Sequence, residues 1–101
     1  MARSHNIEVV VDGAHCIGHL PLDMQKADID YYASSLHKWL NAPHGTGLLY
    51  VRPELISKLH NHPSSYLNAT DQIKKFEHIG TRAFHQEIGI SAALDLSLIH
   101  I

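Results

Sequence analysis

Between residues 7 and 11 the sequence runs Ile-Glu-Val-Val-Val, a short and mostly β-branched apolar stretch that stops abruptly at Asp12-Gly13. Such a run predicts a strand buried on both faces of a parallel sheet, with Asp12 at its carboxyl end. Residues 14–22, broken by Gly18 and Pro21, predict a loop or irregular turn. A second strand is predicted at 29–34 and a third at 47–51, the latter entered through Pro43-His44-Gly45-Thr46. Pro53 suits the first position of a helix reaching about His60, with Leu55, Ile56 and Leu59 on one face and Glu54 near the positive end of its dipole. Residues 61–70 predict an exposed connection, and a last helix is expected to start near His85 and carry Ile88, Ala92 and Leu94. Strands alternating with helices imply an α/β architecture, a mostly parallel sheet with flanking helices.

Composition narrows the function classes. Hydrophobic residues make up 45% of the 101 positions and charged residues 18%, which excludes a disordered chain. Eight Lys and Arg against ten Asp and Glu leave a formal charge of -2, so there is no basic face for a run of phosphates and no expectation of nucleic acid as a partner. The one cysteine, Cys16, excludes an internal disulfide framework, fits a reducing compartment and is expected to be a small buried residue. The first six residues lack the apolar core of a signal peptide. Asp95 and His100 interrupt the apolar C-terminal stretch well short of the ~20 residues a bilayer requires. No membrane association is expected, and the location expected is cytoplasmic.

Ligands of open α/β sheets bind beyond the carboxyl ends of the strands, which directs attention to two clusters. One is Asp12-Gly13-Ala14-His15 and the other Ser34-Ser35-Leu36-His37-Lys38-Trp39. A carboxylate at one strand end and a lysine at another are the two groups a pyridoxal 5'-phosphate site needs, the lysine for a Schiff base and the carboxylate for the pyridinium nitrogen. Asp-Gly is also turn chemistry in its own right, and Lys38 also suits a solvated surface position. His15 and His37 also suit satisfied interior positions, and Trp39 is expected to pack in the core.

Four motifs in order, 9–15 (Val-Val-Val-Asp-Gly-Ala-His), 18–23 (Gly-His-Leu-Pro-Leu-Asp), 30–40 (Asp-Tyr-Tyr-Ala-Ser-Ser-Leu-His-Lys-Trp-Leu) and 43–52 (Pro-His-Gly-Thr-Gly-Leu-Leu-Tyr-Val-Arg), resemble the class V aminotransferase family. The resemblance is dense over 7–53 and continues weakly to about residue 95. It implies part of the large domain of a fold-type I pyridoxal phosphate enzyme, within a group that includes cysteine desulfurases, selenocysteine lyases and isopenicillin N epimerase-like enzymes. It further implies that Lys38 is the catalytic Schiff-base lysine and that Asp12 is the pyridinium partner. Ser35 and His37 match phosphate-side ligands. His15 stands where many members carry a glutamine facing the ring 3-oxygen, a feature similar to the epimerase-like branch. Gly80-Thr81 resembles a short motif that brings Thr81 to the cofactor phosphate of a neighbouring subunit, which implies a homodimer. A small amino acid is the implied substrate. Epimerisation, transamination, desulfuration and elimination share the same lysine and aspartate, so the reaction type stays open; Cys16 does not match the position of a desulfurase cysteine.

Ten histidines invite a metal reading, through His15 and His19 four apart or His60 and His62 two apart. Neither pair comes with a third ligand in a recognised spacing, and His85-Gln86-Glu87 lacks the second histidine of a zinc-protease motif, so no metal is expected. Family members are several times longer than this chain. Residues 1–95 are therefore expected to be the C-terminal half of a cofactor-binding domain, with Met1 an internal methionine. Residues 96–101, Leu-Ser-Leu-Ile-His-Ile, match what a transposon-end sequencing adaptor encodes and are expected to be read-through. The alternative to an enzyme is a truncated, non-catalytic piece, and the 101 residues alone are expected to be inactive.

Overall fold

The computed structural model describes residues 1–61, 72–77 and 80–99. From residue 62 on, the predicted connection at 61–70 lies outside the described residues. Two compact units emerge, Met1–Tyr50 together with Ala83–Ile101, and Val51–Arg82.

In the first unit the three predicted strands are present as β1 (Val10–Asp12), β2 (Tyr31–Ser35) and β3 (Gly47–Val51), in the order β1-β2-β3. β1 and β2 pair in parallel with Val10 opposite Tyr31, Val11 opposite Tyr32 and Asp12 opposite Ala33. Backbone bonds from Tyr31 to Val9 (3.1 Å) and from Gly13 to Ala33 (2.8 Å) extend the ladder at both ends. Residues 36–46 are too few for a parallel crossover, and β3 makes the sheet mixed. One expectation needs correction: β1 is not buried on both faces, since Val10 is 74% exposed. β1 is the edge strand of this sheet, and an apolar run fills a doubly covered position only where a layer lies on each side.

A buried carboxylate fixes the start of the parallel pair. Asp30, 4% exposed, accepts from the Arg3 guanidinium through Oδ1 (2.7 Å) and from the Val9 amide through Oδ2 (2.9 Å). Arg3 also reaches the Asp28 carbonyl at 2.9 Å and pairs with the Asp28 carboxylate. The 3-10 helix Ala2–His5 carries Arg3 to this place. One carboxylate, just before β2, thus holds both the backbone just before β1 and the side chain of the N-terminal 3-10 helix.

Helix α1, His85–Ile99, starts where the sequence predicts and runs through Leu96 to Ile99. Its Ala93 is buried with Leu36, Leu40 and Ala42, and Ile90 and Ile17 pack against that cluster. Gly89 lets the helix approach closely, because a Cβ there would lie 2.4 Å from Cγ of Pro43. Among the described residues no helix is long and apolar enough to cross a membrane.

The second unit holds Pro53–Lys58, with Pro53 at the predicted helix start but wound as a 3-10 helix, and a further 3-10 turn at Ile73–Phe76. Six residues suit a 3-10 segment, which the intrinsic cost of a short α-helix favours. Leu55 and Ile56 are buried. Lys75, only 2% exposed, donates from Nζ to the carbonyls of Ile56 (2.5 Å) and Leu59 (2.6 Å), satisfying acceptors at the end of the first segment. A lysine in a polar run reads from sequence as solvated, and its role here comes from those two carbonyls.

Candidate active site

The turn after β1 is built on Gly13. Its carbonyl accepts from the Ser34 hydroxyl (2.9 Å), the Tyr32 hydroxyl (3.2 Å) and the Cys16 amide (2.9 Å). Tyr32 is 1% exposed and lies so close that a Cβ on Gly13 would fall 2.1 Å from its ring. Burial pushes the Tyr32 phenol up, with Cys16 adding to the shift and the Ser34 hydroxyl opposing it. Cys16 itself is half-buried rather than buried, since the turn keeps one side open.

Asp12 ends β1, as predicted. Its Oδ1 accepts from the Ala14 amide at 3.1 Å, so the aspartate does shape the turn. Three residues on, His15 meets the other strand end: its Nε2 lies 3.2 Å from Lys38 Nζ, and its Nδ1 accepts from the Trp39 indole N–H at 3.2 Å. Trp39 in turn stacks on His19, with ring centroids 4.5 Å apart and planes inclined by 22°. The expectation that Trp39 packs in the core is corrected, since it is 52% exposed and holds two histidines of the β1 turn. Its indole N–H finds a polar partner at the rim, the usual need of that group. Beside it an open cleft of about 900 Å³ is lined by Ile17, His19, Pro21, Leu40, Ala93 and Leu94 among others.

The remaining predicted residues are placed as follows. Ser35 closes β2, half-buried, on the strand face opposite the Ser34 hydroxyl that the Gly13 carbonyl takes. His37 donates from Nδ1 to the Thr46 carbonyl at 3.2 Å and stacks on His44 at 4.6 Å, which directs its ring toward the turn before β3. Thr81 belongs to the second unit, exposed, next to Gly80 at φ +94°. The structure therefore gathers Asp12, His15 and Lys38 at adjacent ends of two parallel strands, with Ser35 ending β2 and His37 just beyond it. His19 and Trp39 were not singled out by sequence as members of this group. The signal for them was the Lys-Trp pair following the strand, which spacing alone reads as packing.

The donor set suits pyridoxal phosphate. It offers a primary amine for an aldehyde, a carboxylate for a protonated ring nitrogen, an imidazole beside the amine, and a hydroxyl and a second imidazole for an anion.

Comparison with known proteins places the chain in a family. The family described as Aminotransferase class-V matches residues 1–100. Isopenicillin N epimerase of Streptomyces clavuligerus is 48% identical over 58 residues, 57% of this chain and 15% of that protein. Cysteine desulfurase of Escherichia coli O6:K15:H31 (strain 536 / UPEC) is 42% identical over 59 residues, 58% of this chain and 14% of that protein. Among solved structures, the cysteine desulfurase CsdA from Escherichia coli superposes with a TM-score of 0.73 at 37% identity, covering 94% of this chain and 26% of that one. The chain thus spans about a seventh of these two relatives and about a quarter of the solved structure, and its fold is that of fold-type I enzymes. From its motifs, its strand-end site and these matches, the chain belongs to the class V aminotransferase family.

Proposed function

We propose that this chain is part of a pyridoxal phosphate enzyme that acts on a small amino acid, in the manner of its epimerase-like or desulfurase and lyase-like relatives. The observation that carries this reading is the contact of His15 with Lys38 next to Asp12, across the parallel β1–β2 pair. Lys38 supplies the amine that would hold the cofactor aldehyde and, when released, would take or return a proton at the substrate α-carbon. Asp12 would keep the ring nitrogen protonated through its carboxylate. Ser35 and His37 would hold the phosphate, one as a neutral donor and the other, when its ring carries both protons, as a cationic donor. When bound, pyridoxal phosphate supplies an electron sink for charge released at the α-carbon.

Thr81 is proposed to serve a neighbouring subunit's phosphate in a homodimer, and the location proposed is cytoplasmic. The 101 residues on their own are proposed to be inactive, in keeping with the 14–15% of the relatives' length that they cover. Binding is separable from turnover. Incubating the chain with pyridoxal phosphate, reducing with borohydride and mapping the modified peptide should find the adduct at Lys38 and lose it in Lys38→Ala. Labelling spread evenly over Lys26, Lys58 and Lys74 with no preference for Lys38 would overturn the proposal.

A further inference from the structure

We infer that Trp39 is a positioning residue that fixes the tautomer of His15 and thereby turns an N–H of that ring toward the Lys38 amine. The argument is one of donors and acceptors. An indole nitrogen can only donate, and the Trp39 N–H points at His15 Nδ1 over 3.2 Å. Nδ1 must then present its lone pair, so the ring is the neutral tautomer with its proton on Nε2. That Nε2 faces Lys38 Nζ at 3.2 Å. Two donors cannot share this contact, so in this tautomer Nε2–H donates and the lysine nitrogen accepts.

Trp39 is held for this task from its other side. The stacked His19 ring, 4.5 Å away, sets the plane of the indole, and Gly18 and Leu40 bring the backbones of the two segments together. The tautomer of a histidine is ordinarily set by the partner of its second nitrogen. Here that partner is the residue next to the lysine being served, so one short segment, Lys38-Trp39, carries both the amine and the group that orients the ring against it. This rests on the reading of Lys38 as the reactive amine, but its test needs no cofactor and so fails separately.

The chain labelled with 15N-histidine should show His15 as the Nε2–H tautomer in long-range nitrogen–proton spectra. In Trp39→Phe, which keeps an aromatic face for His19 and removes only the indole N–H, the ring should become a mixture of tautomers. A His15 ring protonated at Nδ1 in the unaltered chain overturns the inference even if the variant fails to fold. So does an unchanged single tautomer of His15 in a folded Trp39→Phe. Loss of the pyridoxal phosphate adduct with the tautomer intact would overturn the cofactor reading alone.

Discussion

Gly13 and Tyr32 are fitted to one another: the tyrosine hydroxyl donates to the glycine carbonyl at 3.2 Å, and its ring occupies the space a Cβ on residue 13 would need. Gly13→Ala should therefore destabilise the first unit by about 1–3 kcal/mol, the usual cost of overfilling a packed site. The urea midpoint measures it. In a Tyr32→Leu background the same substitution should cost much less, and equal costs in both backgrounds would show that the ring is not the obstacle.

The clamp at the start of β2 predicts a second coupling. Asp30→Asn should lower stability by about 1–3 kcal/mol, because a buried carboxylate gives up charge-assisted bonds to Arg3 and to the Val9 amide. Arg3 is partly exposed, so its own share is the smaller one. A double-mutant cycle with Arg3→Ala should show the two losses overlapping, and strict additivity would count against the clamp.

Tyr31 offers a test by pH. Its hydroxyl donates to Glu8 at 2.7 Å, and that hydrogen bond, with burial and the charges of Glu8 and Asp30 behind it, holds the phenol at about 12 instead of 10.0. A raised phenol means the folded chain keeps a proton that the unfolded chain releases. The stabilisation is therefore complete below pH 10 and is lost as the pH climbs toward 12. Ultraviolet titration of tyrosinate should show one group, absent in Tyr31→Phe, that moves down toward 10.0 in Glu8→Gln. No movement in Glu8→Gln would contradict the assignment.

In the second unit, Lys75→Met should expose residues 51–61 to protease. The methionine keeps much of the buried stem but leaves the Ile56 and Leu59 carbonyls without their donor, at a cost of about 1–3 kcal/mol. Cleavage kinetics no faster than those of the unaltered chain would mean the two carbonyls find water at no cost.

Strand positions and the placing of Asp12 and Lys38 at strand ends were legible because they depend on local pattern. Val9-Val10-Val11-Asp12 and Gly47 to Val51 announce themselves by β-branched runs and bounding turns, and Asp12 and Lys38 by their places after strands. Burial of β1 was not legible, since coverage is decided by layers rather than by the run itself. Nor were the partners of Trp39, Lys75 and Asp30. Each is a polar or aromatic side chain whose role is set by a group 16 to 27 residues away, and periodicity carries no record of such distances.

The pairing of Asp12 with Ala33 has a consequence for how such a site can vary. Strand pairing changes only in whole residues, and one step moves a side chain by about 3.3 Å and reverses its face. Catalytic geometry fails at far smaller errors. The separation of Asp12 from Ser35 at the end of β2 is thus set by the sheet in whole steps. A side-chain exchange at a fixed place such as position 15 leaves that spacing intact, whereas a register step cannot adjust it gradually.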